Sequence, residues 1–99
     1  MKNKNVEGKK QPLVVTTDKR GVFFGYAEPV DGGVIRLEQA QMCVYWSADV
    51  KGVLGLASGG PSKGCRITAP INAIRLQGVT SIMEVTEKAE AAWKTQPWS

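Results

Sequence analysis

The segment Ser58-Gly59-Gly60-Pro61-Ser62-Lys63-Gly64-Cys65-Arg66 holds the densest collection of groups that could contact a ligand. Gly59, Gly60 and Gly64 free the backbone to turn N–H groups outward, and Ser58, Ser62, Lys63 and Arg66 are donors suited to phosphate oxygens. The segment departs from the phosphate-binding loop of nucleotide hydrolases. Gly55 and Gly60 have that loop's mutual spacing, but Pro61-Ser62 stands where Lys-Ser or Lys-Thr is required, and Lys63 is followed by Gly64. The same composition also describes a plain surface loop. Upstream, Cys43-Val44-Tyr45-Trp46-Ser47 brings two aromatics near the loop in sequence, and Tyr26 is a third candidate. Aromatic faces beside Lys and Arg are how proteins hold bases, although an alternating aromatic strand is also ordinary core. On a regular strand Tyr45 and Trp46 point to opposite faces, so on a one-sided sheet one is core and the other is open to a ligand, a partner chain or a second layer. The expected ligand-binding set is therefore Ser58, Gly59, Gly60, Ser62, Lys63, Gly64, Arg66, Tyr45 and Trp46.

Other chemistry is excluded or unsupported. The chain has no histidine, which removes Ser-His-Asp and Cys-His catalysis and most zinc sites. Cys43 and Cys65 have no neighbouring Cys or His, so no metal site is expected, and both read as reduced, buried thiols. The carboxylates are scattered: Asp49 follows Trp46-Ser47-Ala48, while Glu28 and Asp31 flank a turn. No catalytic residue and no cofactor is expected, and binding is the simpler activity.

Charge supplies a second binding hypothesis. The 13 basic and 9 acidic residues leave a net charge of +4. Lys2, Lys4, Lys9, Lys10, Lys19 and Arg20 stand against only Glu7 and Asp18 in the first twenty residues, so the whole excess lies there. Such a tail could track a nucleic-acid backbone, or serve only to solubilise. Between Val50 and Met83 stand Lys51, Lys63, Arg66 and Arg75 with no acid, an asymmetry that favours an anionic partner.

The elements that must position these groups are short. With 99 residues, 42% hydrophobic and 22% charged, the chain has room for one core, and no apolar run approaches a membrane span. Residues 1–11 read as a flexible basic arm and residues 12–99 as one β-rich domain. Leu13 to Thr17 favours a strand through Val14 and Val15, and Asp18-Lys19-Arg20-Gly21 supplies turn chemistry. Val22 to Glu28 alternates Val22, Phe24 and Tyr26 with Phe23, Gly25 and Ala27, and Gly25 marks a bend or bulge. Asp31-Gly32-Gly33 is a hairpin turn. Val34 to Gln39 returns with Ile35 and Leu37 inward, and Gln41 to Ser47 is expected to be central and buried. Lys51 to Ala57 reads as a short strand or an irregular crossing, weakened by Gly52 and Gly55. Short strands follow at Cys65 to Thr68, Ala73 to Leu76 and Val79 to Thr86.

Only the end is helical. Thr86 can cap a helix over about 87–95, with Glu87 and Glu90 in its first turn, Lys94 in its last and Pro97 beyond. Trp93 is expected to pack back on the sheet, because so short a helix is marginal alone. The fold class is mainly β: a small, strongly bent sheet or partly open barrel with one short C-terminal helix. Three Trp, two Tyr and two Phe in so small a chain, with Trp98 near its end, lead to the expectation of a symmetric homo-oligomer.

Two resemblances add to this reading. Arg20 to Met42, with Gly21 before a strand, Gly25 at the bend and an Ile35-Arg36-Leu37-Glu38 return strand, resembles the bent hairpin of Sm-like and SH3-like barrels. A longer series consists of Gly21-Val22-Phe23-Phe24-Gly25-Tyr26, Cys43-Val44-Tyr45-Trp46-Ser47, Val50 to Ala57, Gly60 to Arg66, and Ala92-Trp93 followed by Pro97-Trp98. It is similar to a family of small, uncharacterised phage and prophage proteins, a domain of unknown function. That resemblance implies a phage genomic setting and no catalytic residues. The basic N-terminus, Met1 to Lys10, leads into no apolar stretch of signal-peptide length, so the expected location is the cytoplasm of a host cell. Small phage accessory proteins bind host proteins, nucleic acids or defence nucleotides. The leading expectation is a phage protein that sequesters a phosphate-bearing ligand, with a nucleotide defence signal as the candidate ligand and counter-defence as the role. The alternatives are an Sm-like nucleic-acid-binding module and an inhibitor of a host protein.

Overall fold

The structure is a computed structural model and describes residues 10–18, 21–28, 34–96 and 98. Alternating apolar residues with β-branched Val14, Val15 and Val22 produce the strands β1 (Gln11–Thr17) and β2 (Val22–Ala27). They pair antiparallel from Gln11 against Ala27 to Thr16 against Val22. β2 pairs in turn with β3 (Ile35–Tyr45), and β1 pairs on its other edge with β6 (Val79–Glu84). The far edge of β3 is shared, with β5 (Ile71–Leu76) alongside Ile35–Ala40 and β4 (Arg66–Ile67) alongside Cys43–Tyr45. The result is a six-stranded antiparallel sheet of order β4-β3-β2-β1-β6, with β5 also on β3. β5 and β6 lie on opposite edges yet are joined by Gln77-Gly78 alone, so the sheet must curl strongly, and it does so without closing. The expected bent, open β architecture is observed.

Both faces of this sheet are covered. Leu13, Val15, Ala27, Ile35, Leu37, Ala40 and Leu76 form a core inside the curl, while Val14, Val22, Phe24, Cys43 and Ile67 face a layer of helices. A bulge decides which residues of β3 join which core. Phe24 stands opposite Gln41 but Tyr26 opposite Glu38, so Gly25 faces two residues, and the second of its opposite pair is reached through Gln39 at φ 51°. A one-residue insertion exchanges the two faces of a strand. Ile35 and Leu37 accordingly enter the inner core, whereas Gln41 and Cys43 enter the helix-facing one. Gly25 is needed for closeness, because a Cβ there would lie 2.9 Å from Leu37 Cβ and 3.1 Å from the Glu38 carbonyl.

Three expectations require correction. The return strand and Gln41 to Ser47 are one strand, and its end is not buried: Met42, Val44 and Tyr45 are exposed, while Gln41 and Cys43 are covered. Lys51 to Ala57 is neither strand nor irregular. A 3-10 turn at Ala48–Val50 leads into α1 (Gly52–Ser58), which buries Leu56 and Ala57. The Ser58–Gly64 loop is not wholly on the surface, since Gly60 and Pro61 are buried, Gly60 against α2 (Glu87–Thr95). α2 itself follows expectation. Thr86 Oγ1 accepts from the Ala89 N–H at 3.0 Å, and Trp93 is fully buried. Of the arm expected at residues 1–11, residues 1–9 lie outside the described residues and Gln11 already opens β1; Lys19, Arg20, the Asp31-Gly32-Gly33 turn and Pro97 lie outside them too. No helix among the described residues is long and apolar enough to cross a membrane.

Candidate functional site

α1 is a ridge between two grooves, each lined by a different flank of the helix. On one side Lys51 just before α1 and Gly55 and Ser58 within it meet Gly59, Gly60 and Ser62 of the loop, Lys88 and Ala92 of α2 and Gln96 just after it, around a space of about 450 Å³. Lys51 and Lys88 are exposed and make no ion pair among the described residues, while Asp49 brings one negative charge to the rim. Four expected ligand residues, Ser58, Gly59, Gly60 and Ser62, therefore share this groove.

Their chemistry differs from the expectation in one respect. The Gly59 and Gly60 N–H groups donate to the Gly55 carbonyl at 2.8 and 3.0 Å, closing the helix end, so they form no open amide cradle. Gly60 has another task. At φ 83° it brings the loop so near α2 that a Cβ would stand 2.6 Å from Ala92 Cβ and 2.9 Å from the Ala89 carbonyl. The Ser62 hydroxyl is likewise engaged, 3.3 Å from Ser47 Oγ. Ser47 donates to Asp49, and the two serine hydroxyls hold the Asp49 carboxyl below its ordinary range.

On the other flank of α1 lies a larger groove of about 600 Å³, lined by Trp46, Val53, Leu54, Val22 and Met83, with Thr16, Thr17 and Ser81 at its polar margin. Trp46 is half-buried against the helix-facing core, whereas Leu54 is 73% exposed. Thr16 and Ser81 are 2.5 Å apart through their hydroxyls, so that margin is internally paired. Trp46, of the expected aromatic pair, thus presents to a cavity, while Tyr45 is exposed and stands in register with Arg66 on β4.

The remaining expected residues scatter. Lys63, Gly64 and Arg66 are exposed and line neither groove, although Gly64 packs closely on Ser47. Tyr26 does not join Trp46. Its hydroxyl donates to Glu90 on α2 at 2.5 Å, and Lys94 Nζ lies 5.4 Å from its ring centre. Of the nucleic-acid set Lys2, Lys4, Lys9, Lys10, Lys19 and Arg20, only Lys10 is described, 3.5 Å from Glu38. No group of three or more Cys, Asp or Glu among the described residues could hold a metal. Sequence reasoning missed Lys88, Val53, Leu54 and Met83, which belong to the grooves only because Gly52–Ser58 is a helix. It did single out Lys51, through the acid-free stretch that begins there.

Residues 10–93 match the family model described as Domain of unknown function (DUF6948). The chain belongs to that family. The match takes in every strand and most of α2, and with them every wall residue of both grooves except Gln96. No curated protein and no solved structure matches this DUF6948 chain.

Proposed function

We propose that this DUF6948 protein is a non-catalytic binding protein that holds a small, ring-bearing phosphorylated molecule, a nucleotide in chemical class. The observation that carries the reading is the Trp46 groove, whose volume of about 600 Å³ falls within the range of small-molecule sites and whose walls are apolar. The ring lies against Trp46. The phosphate reaches Lys51 and Lys88 in the neighbouring groove, so the ligand crosses α1 at the exposed Leu54. Binding rather than turnover is favoured by the state of the nucleophiles. The Ser47 hydroxyl is tied to a carboxylate that is a poor base, and burial pushes the Cys43 thiol up to about 11. In the phage setting that the sequence resemblance suggests, such binding would remove a nucleotide defence signal by sequestration. Exposed Val44, Tyr45 and Leu54 favour self-association as a further part of the proposal.

Thermal-shift titration of the full chain with cyclic nucleotides, ADP-ribose derivatives and short oligonucleotides tests this, because a ligand of the native state raises Tm. A nucleotide is expected to raise Tm, with the effect reduced at least tenfold in apparent affinity by Leu54→Ser and by paired Lys51→Ala and Lys88→Ala changes. A panel without effect, or variants that bind as well as the parent, overturns the reading. Binding of oligonucleotides alone, lost on removal of residues 1–9, which precede β1, would instead favour the nucleic-acid role. Light scattering at a mass near 10.7 kDa at high concentration removes the self-association part.

A further inference from the structure

The far flank of α2 borders a third cavity that neither groove reaches. The β3 bulge turns Gln41 toward the helices, where it is only 3% exposed. Its Nε2 donates to the Thr68 carbonyl at 3.0 Å and to the Trp93 carbonyl at 3.2 Å. Both partners are acceptors, so the assignment of nitrogen and oxygen in this amide is fixed by the network. Neither bond uses Gln41 Oε1, and no donor reaches it among the described residues. A buried acceptor left in this state calls for a partner.

Gln41 lines a pocket of about 180 Å³ together with Phe24, Tyr26, Gln39, Lys94 and Trp98. At about 30 Å³ per water molecule, the space is that of roughly six waters, the scale of one ring and not of a whole nucleotide. Its walls are aromatic: Phe24 and Tyr26 meet edge to face at 5.6 Å, and Trp98 is half-exposed while its backbone is bridged to Ile67. Its charge is balanced, since Lys94 Nζ lies 3.7 Å from Glu90 Oε2 and over the Tyr26 ring. Phosphate or carboxylate would have to compete with Glu90 for Lys94. An uncharged ligand does not.

We infer that this pocket binds an uncharged planar ring carrying an N–H donor, stacked against Trp98 with the N–H donating to Gln41 Oε1. Nucleobases and indoles share that chemistry. The inference is independent of the Trp46 groove, needs no phosphate and concerns different residues.

The test is a nitrogen-15 correlation titration of the full chain with uracil, adenine and indole, with toluene as a ring of similar shape that lacks a donor. The Gln41 side-chain amide and the Trp98 indole resonances are expected to move together. Binding by uracil or adenine but not indole assigns the site to nucleobases, and the converse assigns it to indoles. Toluene is expected to bind at least tenfold more weakly. Trp98→Ala, at an exposed position that leaves the core intact, is expected to weaken binding at least tenfold. Unmoved Gln41 resonances at millimolar ligand, equal binding of toluene, or full affinity in Trp98→Ala overturns the inference. Shifts at Trp46 in place of Trp98 do the same, and Leu54→Ser separates that outcome from this one.

Discussion

Cys43 sits in the helix-facing core, where burial first and the neighbouring Cys65 second push its thiol up to about 11. In the unfolded chain the thiol ionises at about its ordinary 8.5. Between those values the unfolded state binds fewer protons than the folded state, so stability falls as pH rises. Tyr26, raised chiefly by burial and then by its bond to Glu90, changes stability in the same direction at higher pH. Lys94, raised by Tyr26, does so as well, because its folded form holds the proton longer. The urea midpoint is expected to decline from about pH 9 to about pH 11, and Cys43→Ala is expected to flatten the first part of that decline. A midpoint independent of pH across this window contradicts the argument. Gly60 shows how residue type can be legible without its purpose. A glycine-rich loop suggests a ligand, yet the structure uses this glycine to seat the loop on Ala89 and Ala92, a requirement that only the tertiary neighbour creates.

Among the elements, α2 was readable because its signals are local: Thr86 as cap, acids in the first turn, Lys94 in the last, and the observed span Glu87–Thr95. α1 was not readable. Its two glycines disfavour a helix, and seven residues are too few for one to stand without packing. Gly55 is there because the chain folds back on itself, a Cβ at that position colliding with the Val50 carbonyl. With α1 misread, half of the site stayed invisible, since Val53, Leu54 and Gly55 acquire their places only from the helix. β3 was divided in two for a similar reason. The bulge at Gln39 shifts the alternation by one residue, and a shifted alternation looks like a new strand. Thr86 is where the legible and illegible elements meet. Besides capping α2, its hydroxyl donates to the Ser58 carbonyl at the end of α1 at 2.7 Å. Thr86→Ala is therefore expected to cost about 1–2 kcal/mol, the upper part of the range for a lost cap, because two bonds go together. Chemical denaturation measures it, with Thr86→Ser expected to recover most of the loss. A cost no larger in Thr86→Ala than in Thr86→Ser would remove the cap from the account.

At the scale of the molecule, the curled sheet and the two helices are joined through Trp93. Its ring stacks on Phe24 at 5.0 Å, its indole N–H donates to the Leu56 carbonyl of α1 at 3.1 Å, and its own carbonyl accepts from Gln41 of β3. One side chain from the end of the sequence thus touches β2 and α1, while its backbone holds β3. The expectation of a partner chain rested on more aromatic surface than one small sheet can hide, and Tyr45 and Trp98 do remain exposed. With both faces covered, Trp93 and Phe24 are fully buried within a single chain. If the sheet and helices form one cooperative unit, Trp93→Ala should cost about 3–5 kcal/mol, a large share of the roughly 5–15 kcal/mol that holds a domain together. Trp93→Phe keeps an aromatic ring to pack against Phe24 but leaves the Leu56 carbonyl without its donor, and should cost about 1–3 kcal/mol plus the packing lost from a smaller ring. The measurement is urea unfolding followed both by far-ultraviolet circular dichroism, which reports the backbone, and by the fluorescence of Trp46 and Trp98, which remain in either variant. Coincident transitions that shift together in both variants are the expected result. If the fluorescence of Trp46 changes early while the sheet persists to the parent's midpoint, the helices form a layer that melts separately, and Trp93 is an anchor for that layer alone.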